Sequence, residues 1–304
     1  MDKYKSLLVD VIDNIFVEII ENNSGDLRIR LLKNLICSPH FELEKMLTLT
    51  ITPVSSADVN SLIVAELVKV LNHLDFQSFV NEFKLIQKSP EKIKQSQLFW
   101  DIYYQWLTDN LTIKLTNNKS VSMISLGVGS GKVETQLDSV LKTKFPDLEA
   151  NWIGIDQINY LSGDSIIATK GKFILSSNKP ESYLQLTNLS LQDNVFLLAN
   201  LSLHHMLIGP TEFLKKCNGI DNVVVLEELT DEKSYQDINY RIARVGYDLI
   251  SNFLKNPEWA SNFTRKPDNF KVDYWTTESV QRKFKIWNYS KPYSRNQILC
   301  KRHH

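Results

Sequence analysis

The chain reads as an α/β protein: a doubly wound, mostly parallel sheet with a terminal antiparallel hairpin, preceded by an all-helical N-terminal segment. Three observations predict this. Apolar residues recur at helical steps from Tyr4 to Trp106. From Ser120 the period changes to short, nearly continuous apolar runs alternating with helical patterns, the mark of buried parallel strands joined by helical crossovers. The chain then ends in two alternating runs around a Ser-Lys-Pro-Tyr-Ser turn.

The first helical stripe is Tyr4, Leu7, Leu8, Val11, Ile12, Ile15, Phe16, Ile19 and Ile20, with a polar opposite face. Further stripes lie around Leu27–Ile36, Phe41–Leu49, Asp58–Leu74 and Phe76–Ile86, separated by polar or Pro/Ser-containing breaks. Ser89, Pro90 and Glu91 supply an N-cap, a first-turn proline and a first-turn acid for a helix through Phe99, Tyr103 and Trp106. The strands follow as SMISLGV, NWIGID, KFILSS, NVFLLANL and NVVVLEEL, with helices expected over Val133–Lys144 and Thr211–Cys217. A long helical pattern from Tyr235 to Leu254 and a second over Thr277–Phe284 precede the hairpin. The expected organisation is a helical domain over residues 1–115, serving as lid, docking module or dimerisation element. A sheet domain over 116–302 follows, with a helical insertion at about 232–275.

Composition narrows the class. A chain of 304 residues, 43% hydrophobic, can bury a full core. Lys+Arg and Asp+Glu both total 35, so no broad charged surface points to nucleic acid or an anionic membrane. The longest apolar run, Val195–Leu203, is interrupted by Asn200 and Ser202 and is too short to span a bilayer. Cys37, Cys217 and Cys300 fit no metal spacing and suggest thiols in a reducing compartment; with no signal-peptide pattern in MDKYKSLLVD, the expected location is cytoplasmic. The acidic residues do not cluster with His or Cys at ligand spacing, and the closing His303-His304 pair has the look of a tag remnant, so no metal site is expected.

The chemistry concentrates in SLGVGSGKVETQL, Ser125–Leu137. A phosphate loop needs a glycine five positions before its Gly-Lys pair and a hydroxyl after the lysine; Leu126 and Val133 stand in those places. The dinucleotide pattern would put its third glycine at Lys132, but the glycines are Gly127, Gly129 and Gly131. What fits is G-x-G-x-G directly after the first strand of a doubly wound sheet.

At this point the sequence resembles the class I (Rossmann-like) S-adenosylmethionine-dependent methyltransferases of the small-molecule type. The resemblance covers about Ser120 to Arg302, apart from the inserted stretch near Tyr235–Asp273, and implies a seven-stranded sheet. It implies that the backbone at Gly127, Gly129, Ser130 and Gly131 approaches the methionine part of S-adenosyl-L-methionine, where a Cβ would collide with the cofactor. Asp156, ending NWIGID, would accept from the ribose hydroxyls, with Gln157 beside it. Asn200 would contact cofactor or substrate, and Tyr104 would cover the cofactor. After the third strand, FILSSNKPESYL lacks the aspartate many members place near adenine, so Ser177 or Asn178 would substitute.

VFLLANLSLHHML resembles the family's fourth strand and the turn after it, where small-molecule members carry a His-His pair beside the reacting methyl. His204 and His205 are therefore candidate general bases; adjacent residues leaving a strand point to opposite sides, so one of them is expected to pack. Glu227 and Glu228 end the fifth strand on the same edge, one of them to orient a histidine or the substrate, with Glu228 placed in the catalytic set. Each feature also has a plainer account: tight packing for the glycines, a helix cap for Asp156, core for Tyr103, Tyr104 and Trp106. For Arg241/Arg244 and Tyr240/Tyr247 the choice is a solvated face or a substrate-facing lid. The expected activity is methyl transfer to an O or N atom of a small molecule, with no nucleic-acid or membrane partner and a homodimer formed through the N-terminal helices. The alternatives are a peptide or protein substrate, or a non-catalytic cofactor-binding scaffold.

Overall fold

The structure is a computed structural model, described for residues 3–17, 26–42, 55–115, 120–176, 194–220, 222–257, 270–288 and 296–301. The chain divides into two compact units, one taking in residues up to Ser89 and the stretch Leu229–Glu278, the other Pro90–Glu228, Ser279–Asn288 and the final strand Asn296–Lys301. Among the described residues no helix is long and apolar enough to cross a membrane.

The second unit is built on a seven-stranded sheet: β1 (Ser120–Leu126), β2 (Glu149–Asp156), β3 (Lys172–Leu175), β4 (Val195–Asn200), β5 (Asn222–Glu228), β6 (Phe284–Asn288) and β7 (Asn296–Lys301). Their order is β3-β2-β1-β4-β5-β7-β6. The first five are parallel, and β7 runs antiparallel to both β5 and β6, as the terminal hairpin requires. β1 and β4 are buried along most of their length, which explains why they read as continuous apolar runs. The winding reverses between β1 and β4, whose carboxyl ends lie side by side with Leu126 opposite Ala199. In open α/β sheets that reversal leaves a crevice where ligands bind. Helices Pro90–Leu115, Lys132–Lys144 and Pro210–Lys216 also belong to this unit, as does the single turn Ile166–Thr169, too short to leave a periodic signal.

The other unit contains helices Lys3–Val17, Leu27–Cys37, Ser56–Leu71 and Phe76–Gln87, joined by Glu232–Gln236 and Ile238–Lys255 from the insertion. The stripe around Phe41–Leu49 lies almost wholly outside the described residues. Ile238–Lys255 is the centre of this core: Ile242, Ala243, Val245, Leu249 and Ile250 are buried with Leu8, Ile12, Leu32, Ile63 and Leu67. Contact with Leu27–Cys37 is close enough that a Cβ on Gly246 would stand 2.5 Å from Leu32 Cδ1. The side chains of Arg241/Arg244 and Tyr240/Tyr247 are all engaged within this unit. Tyr240 accepts a hydrogen bond from Thr230 Oγ1 at 2.8 Å, Tyr247 stacks on Phe16 at 4.6 Å, and the guanidinium groups of Arg241 and Arg244 lie over the rings of Tyr235 and Tyr274.

Two helical expectations are corrected. The pattern from Tyr235 to Leu254 is two helices, because Asp237 takes an extended conformation and caps the second by accepting from Asn239 N–H at 2.8 Å. The pattern over Thr277–Phe284 is helical only over Thr277–Val280, since Phe284 already pairs in β6. Tyr235 joins the N-terminal helices to the insertion: its hydroxyl accepts from Asn60 Nδ2 at 2.7 Å and donates to Asp273. Asn60 Nδ2 also reaches the Val272 carbonyl at 2.9 Å. Tyr235→Phe strips a partner from two polar side chains and is expected to cost about 1–3 kcal/mol. Urea unfolding checks it, read as a lower midpoint at unchanged slope.

Candidate active site

β1 ends at Leu126, and the next residues turn through three left-handed glycines, Gly127 (φ +66°), Gly129 (φ +54°) and Gly131 (φ +73°), the last capping helix Lys132–Lys144. Side chains disfavour this conformation at every position, but the surroundings differ. A Cβ on Gly127 would stand 2.4 Å from Ser202 Cβ, and one on Gly131 would stand 2.8 Å from Ser165 Cβ. Those two glycines are required by the protein's own packing. Around Gly129 nothing lies within 4 Å. Packing within the chain itself thus accounts for Gly127 and Gly131 and leaves Gly129 without that account. Ser202 Oγ donates to Leu126 O at 2.9 Å, tying the turn after β4 to the end of β1. Ser130 and Lys132 are exposed.

Asp156 closes the loop from the side of β2. Its Oδ2 accepts from Gly129 N–H at 2.9 Å and its Oδ1 from Gln157 N–H at 2.7 Å. No helix starts there, so the carboxylate tethers the loop rather than capping a helix. It retains lone pairs for a ligand's hydroxyls. Beside it the surface is apolar and exposed at Ile158 (42%), Tyr160 (46%) and Leu175 (61%), the last opposite Asp156 in the β2/β3 register. Partial burial and the Asp156 charge raise the Tyr160 phenol above its usual range. Gln157 is exposed, and Asn178 lies outside the described residues.

At the end of β4, Asn200 Oδ1 accepts from the hydroxyl of Tyr103 at 2.7 Å, and Tyr103 is fully buried. Tyr104, its neighbour on helix Pro90–Leu115, donates to Gln136 Oε1 at 3.0 Å and is itself buried. Past Asn200 the chain makes a 3-10 turn over Leu203–His205. The alternation of a strand does not apply there, so the rings of His204 and His205 lie 4.1 Å apart instead of on opposite sides. His204 Nδ1 is 2.7 Å from Glu227 Oε1. Glu227 is fully buried and also accepts from Leu203 N–H at 3.1 Å and Glu228 N–H at 3.0 Å. The carboxylate on the histidine is therefore Glu227; Glu228 contributes its backbone to that arrangement.

A further carboxyl lies against the sheet. Glu134, in the first turn after the glycine loop, is 2% exposed, and its Oε1 accepts from Ser125 Oγ at 2.5 Å. Its Oε2 and the Asn200 Nδ2 are buried without a hydrogen-bond partner among the described residues. Each such group costs about 1–3 kcal/mol. The sequence does carry a signal for Glu134: with Leu137, Asp138 and Leu141 it occupies the buried stripe of its helix, an odd place for a carboxylate. Asp138 is accounted for by Trp152 Nε1 at 2.9 Å and by Lys142. Burial pushes the Glu134 carboxyl up to about 7, the Ser125 hydroxyl and its own N–H partly oppose this, and the Asp156 charge adds to it. Among the described residues no group of His, Cys, Asp and Glu is arranged to hold a metal ion.

The strand order with its antiparallel end is the doubly wound sheet with a terminal hairpin that the sequence predicts. No family model matches the chain, and no curated protein matches it by sequence. Among solved structures it is similar to a candidate S-adenosyl-L-methionine-dependent methyltransferase of Methanococcus maripaludis. Identity is 11% over 75% of this chain and 94% of the other, with a TM-score of 0.37. It is similar also to the CurJ carbon methyltransferase, at 12% identity over 97% of this chain and 70% of the other, TM-score 0.38. A candidate class I enzyme of Listeria monocytogenes is 12% identical over 100% and 89%, TM-score 0.33. At such distances function has to be read from this chain's own residues.

Two outcomes are expected from the loop. Gly127→Ala destabilises more than Gly129→Ala, because the former adds a clash with Ser202 to a left-handed penalty of about 1–2 kcal/mol that both carry; thermal unfolding of the two variants compares them. Glu134 has a folded-state pKa above its ordinary value of 4.5, so its stabilising contribution is present below that value and lost as pH rises through about 7. Glu134→Gln should therefore raise stability relative to the wild type more at about pH 8 than at about pH 5, read from urea midpoints at both.

Proposed function

We propose that the chain is an S-adenosylmethionine-dependent methyltransferase acting on an oxygen or nitrogen atom of a small molecule. One observation carries this reading: Gly129, the loop glycine that faces open space, is held by Asp156 at the sheet edge where the winding reverses. The surroundings suit this cofactor better than a pyrophosphate-bearing one. The loop carries neither a phosphate loop's outer glycine nor its hydroxyl, and its lysine is exposed. Asp156 retains acceptor capacity for ribose hydroxyls, and Ile158 and Leu175 offer an apolar face to a purine.

When bound, the cofactor supplies an electrophilic methyl on a sulfonium, so the protein is left to align the acceptor and take its proton. His204 suits the second task. Glu227 accepts its Nδ1–H, and two backbone N–H groups hold Glu227 in place, which fixes the tautomer and makes Nε2 the basic nitrogen. The acceptor's proton passes to His204 Nε2 while the buried carboxylate balances the charge the ring takes up. His205 packs beside that ring and shapes the turn.

Titration calorimetry with S-adenosylmethionine and S-adenosylhomocysteine tests the cofactor: micromolar binding is expected, weakened at least about tenfold in Asp156→Ala. Absence of binding to both nucleosides would sink the reading. With an acceptor in hand, His204→Ala and Glu227→Gln should lower kcat by about 10²- to 10⁴-fold and leave cofactor affinity unchanged. Labelled methyl transfer into a fractionated extract identifies the acceptor class: counts in the small-molecule fraction are expected, and counts in protein would overturn that part.

A further inference from the structure

Helix Pro90–Leu115 outruns helix Lys132–Lys144, against which it packs. Two ties set its direction: Tyr104 donates to Gln136 near the start of the shorter helix, and Thr108 and Asp109 both meet Lys144 at its end. The two helices therefore run in the same sense. The shorter one leaves the glycine loop at the carboxyl ends of the strands, so the longer one, followed back toward its own N-terminus, leads out past that edge. Tyr103, on Asn200 at the end of β4, marks the crossing point. At a rise of about 1.5 Å per residue, Trp100 stands about 5 Å and Ile93 about 15 Å farther along.

One face runs the length of this projection. Ile93, Gln97, Trp100, Tyr104 and Leu107 follow at steps of four and three residues, and none is charged; Glu91, Lys92, Lys94 and Asp101 leave from other sides of the helix. Before the edge is reached this face is buried, with Tyr104 2% exposed and Leu107 fully buried. Past the edge it opens: Trp100 is half-buried and Ile93 is 53% exposed. Tyr104 stacks on the indole at 6.0 Å and Tyr103 meets it edge-on at 6.0 Å, which holds the ring in place.

We propose that this overhang selects the methyl acceptor, and that the acceptor is an uncharged aromatic ring bearing the reacting hydroxyl or amine, stacked on Trp100 with Ile93 against its outer end. This rests on the cofactor reading above and adds the substrate class to it. An indole favours a flat π-face over a saturated ring of the same size, and a charged acceptor would find no counter-charge on this face. A phenol also suits a histidine base, because its proton is far more acidic than that of an aliphatic alcohol.

The test titrates 2-naphthol and its saturated counterpart, decahydro-2-naphthol, by calorimetry into the full chain loaded with S-adenosylhomocysteine. The wild type is expected to bind 2-naphthol several-fold more tightly than the saturated alcohol. Trp100→Ala should weaken 2-naphthol about tenfold and Trp100→Phe should recover most of the loss. Ile93→Ala, at an exposed position, should weaken it about threefold and keeps the test open if Trp100→Ala does not fold. Leu98 is 51% exposed but on the opposite side of the helix, and Leu98→Ala should change nothing. Retained affinity for S-adenosylhomocysteine shows that each variant is folded. If 2-naphthol binds no better than the saturated alcohol, or if Leu98→Ala weakens it as much as Ile93→Ala, the inference fails and the cofactor reading stands. If the wild type does not bind S-adenosylhomocysteine, the cofactor reading itself fails and takes the inference with it.

Discussion

The hydrogen bond from Gly129 N–H to Asp156 fixes the site's geometry. The loop leaves β1 and the carboxylate ends β2, so this 2.9 Å contact, together with Gly127 N–H on the Ile155 carbonyl at 2.9 Å, sets how far the loop stands from the neighbouring strand. From there other positions follow. Ser202 packs on Gly127 from the turn after β4, Ser165 packs on Gly131, and the helix that begins at Lys132 presents Glu134 to Ser125. The loop is held on three sides by its own chain, and its one open glycine is left facing outward.

Polar groups on this edge differ in how fully they are satisfied. Glu227 has three partners, two backbone N–H groups and an imidazole, and such a group is rigid. Glu134 has one hydroxyl on one oxygen and nothing described on the other. The first arrangement suits a histidine that must keep one orientation through many turnovers. The second leaves a buried acceptor unsatisfied, at a cost of about 1–3 kcal/mol.

Much of this could be read in the sequence, for identifiable reasons. The strands were visible because buried parallel strands lack polar alternation, and the glycine loop because its spacing departs from both phosphate patterns at named positions, Leu126, Val133 and Lys132. What could not be read were the pairings. Two adjacent glutamates ended β5, and only the fold distinguishes Glu227, which points to His204, from Glu228. The break at Asp237 was hidden because apolar spacing continues across it. Arg244 and Tyr240 looked like a face of a surface helix, since burial of such residues depends on aromatic and hydroxyl partners far away in the sequence. Glu134 left a trace in its helical stripe, but its unpaired oxygen is a property of three dimensions.

The sheet is also discontinuous in the chain, with consequences for its assembly. β7 lies between β5 and β6, yet it follows the whole stretch Leu229–Asn288 in sequence. During synthesis β5 is complete while its partner is still unmade, so a nascent chain displays an apolar strand, Val223 to Leu226, with one row of backbone groups unpaired. Closing that edge waits on a long-range pairing, a slow kind of step. The inserted helices thus lengthen the time for which an edge able to recruit other chains stays open.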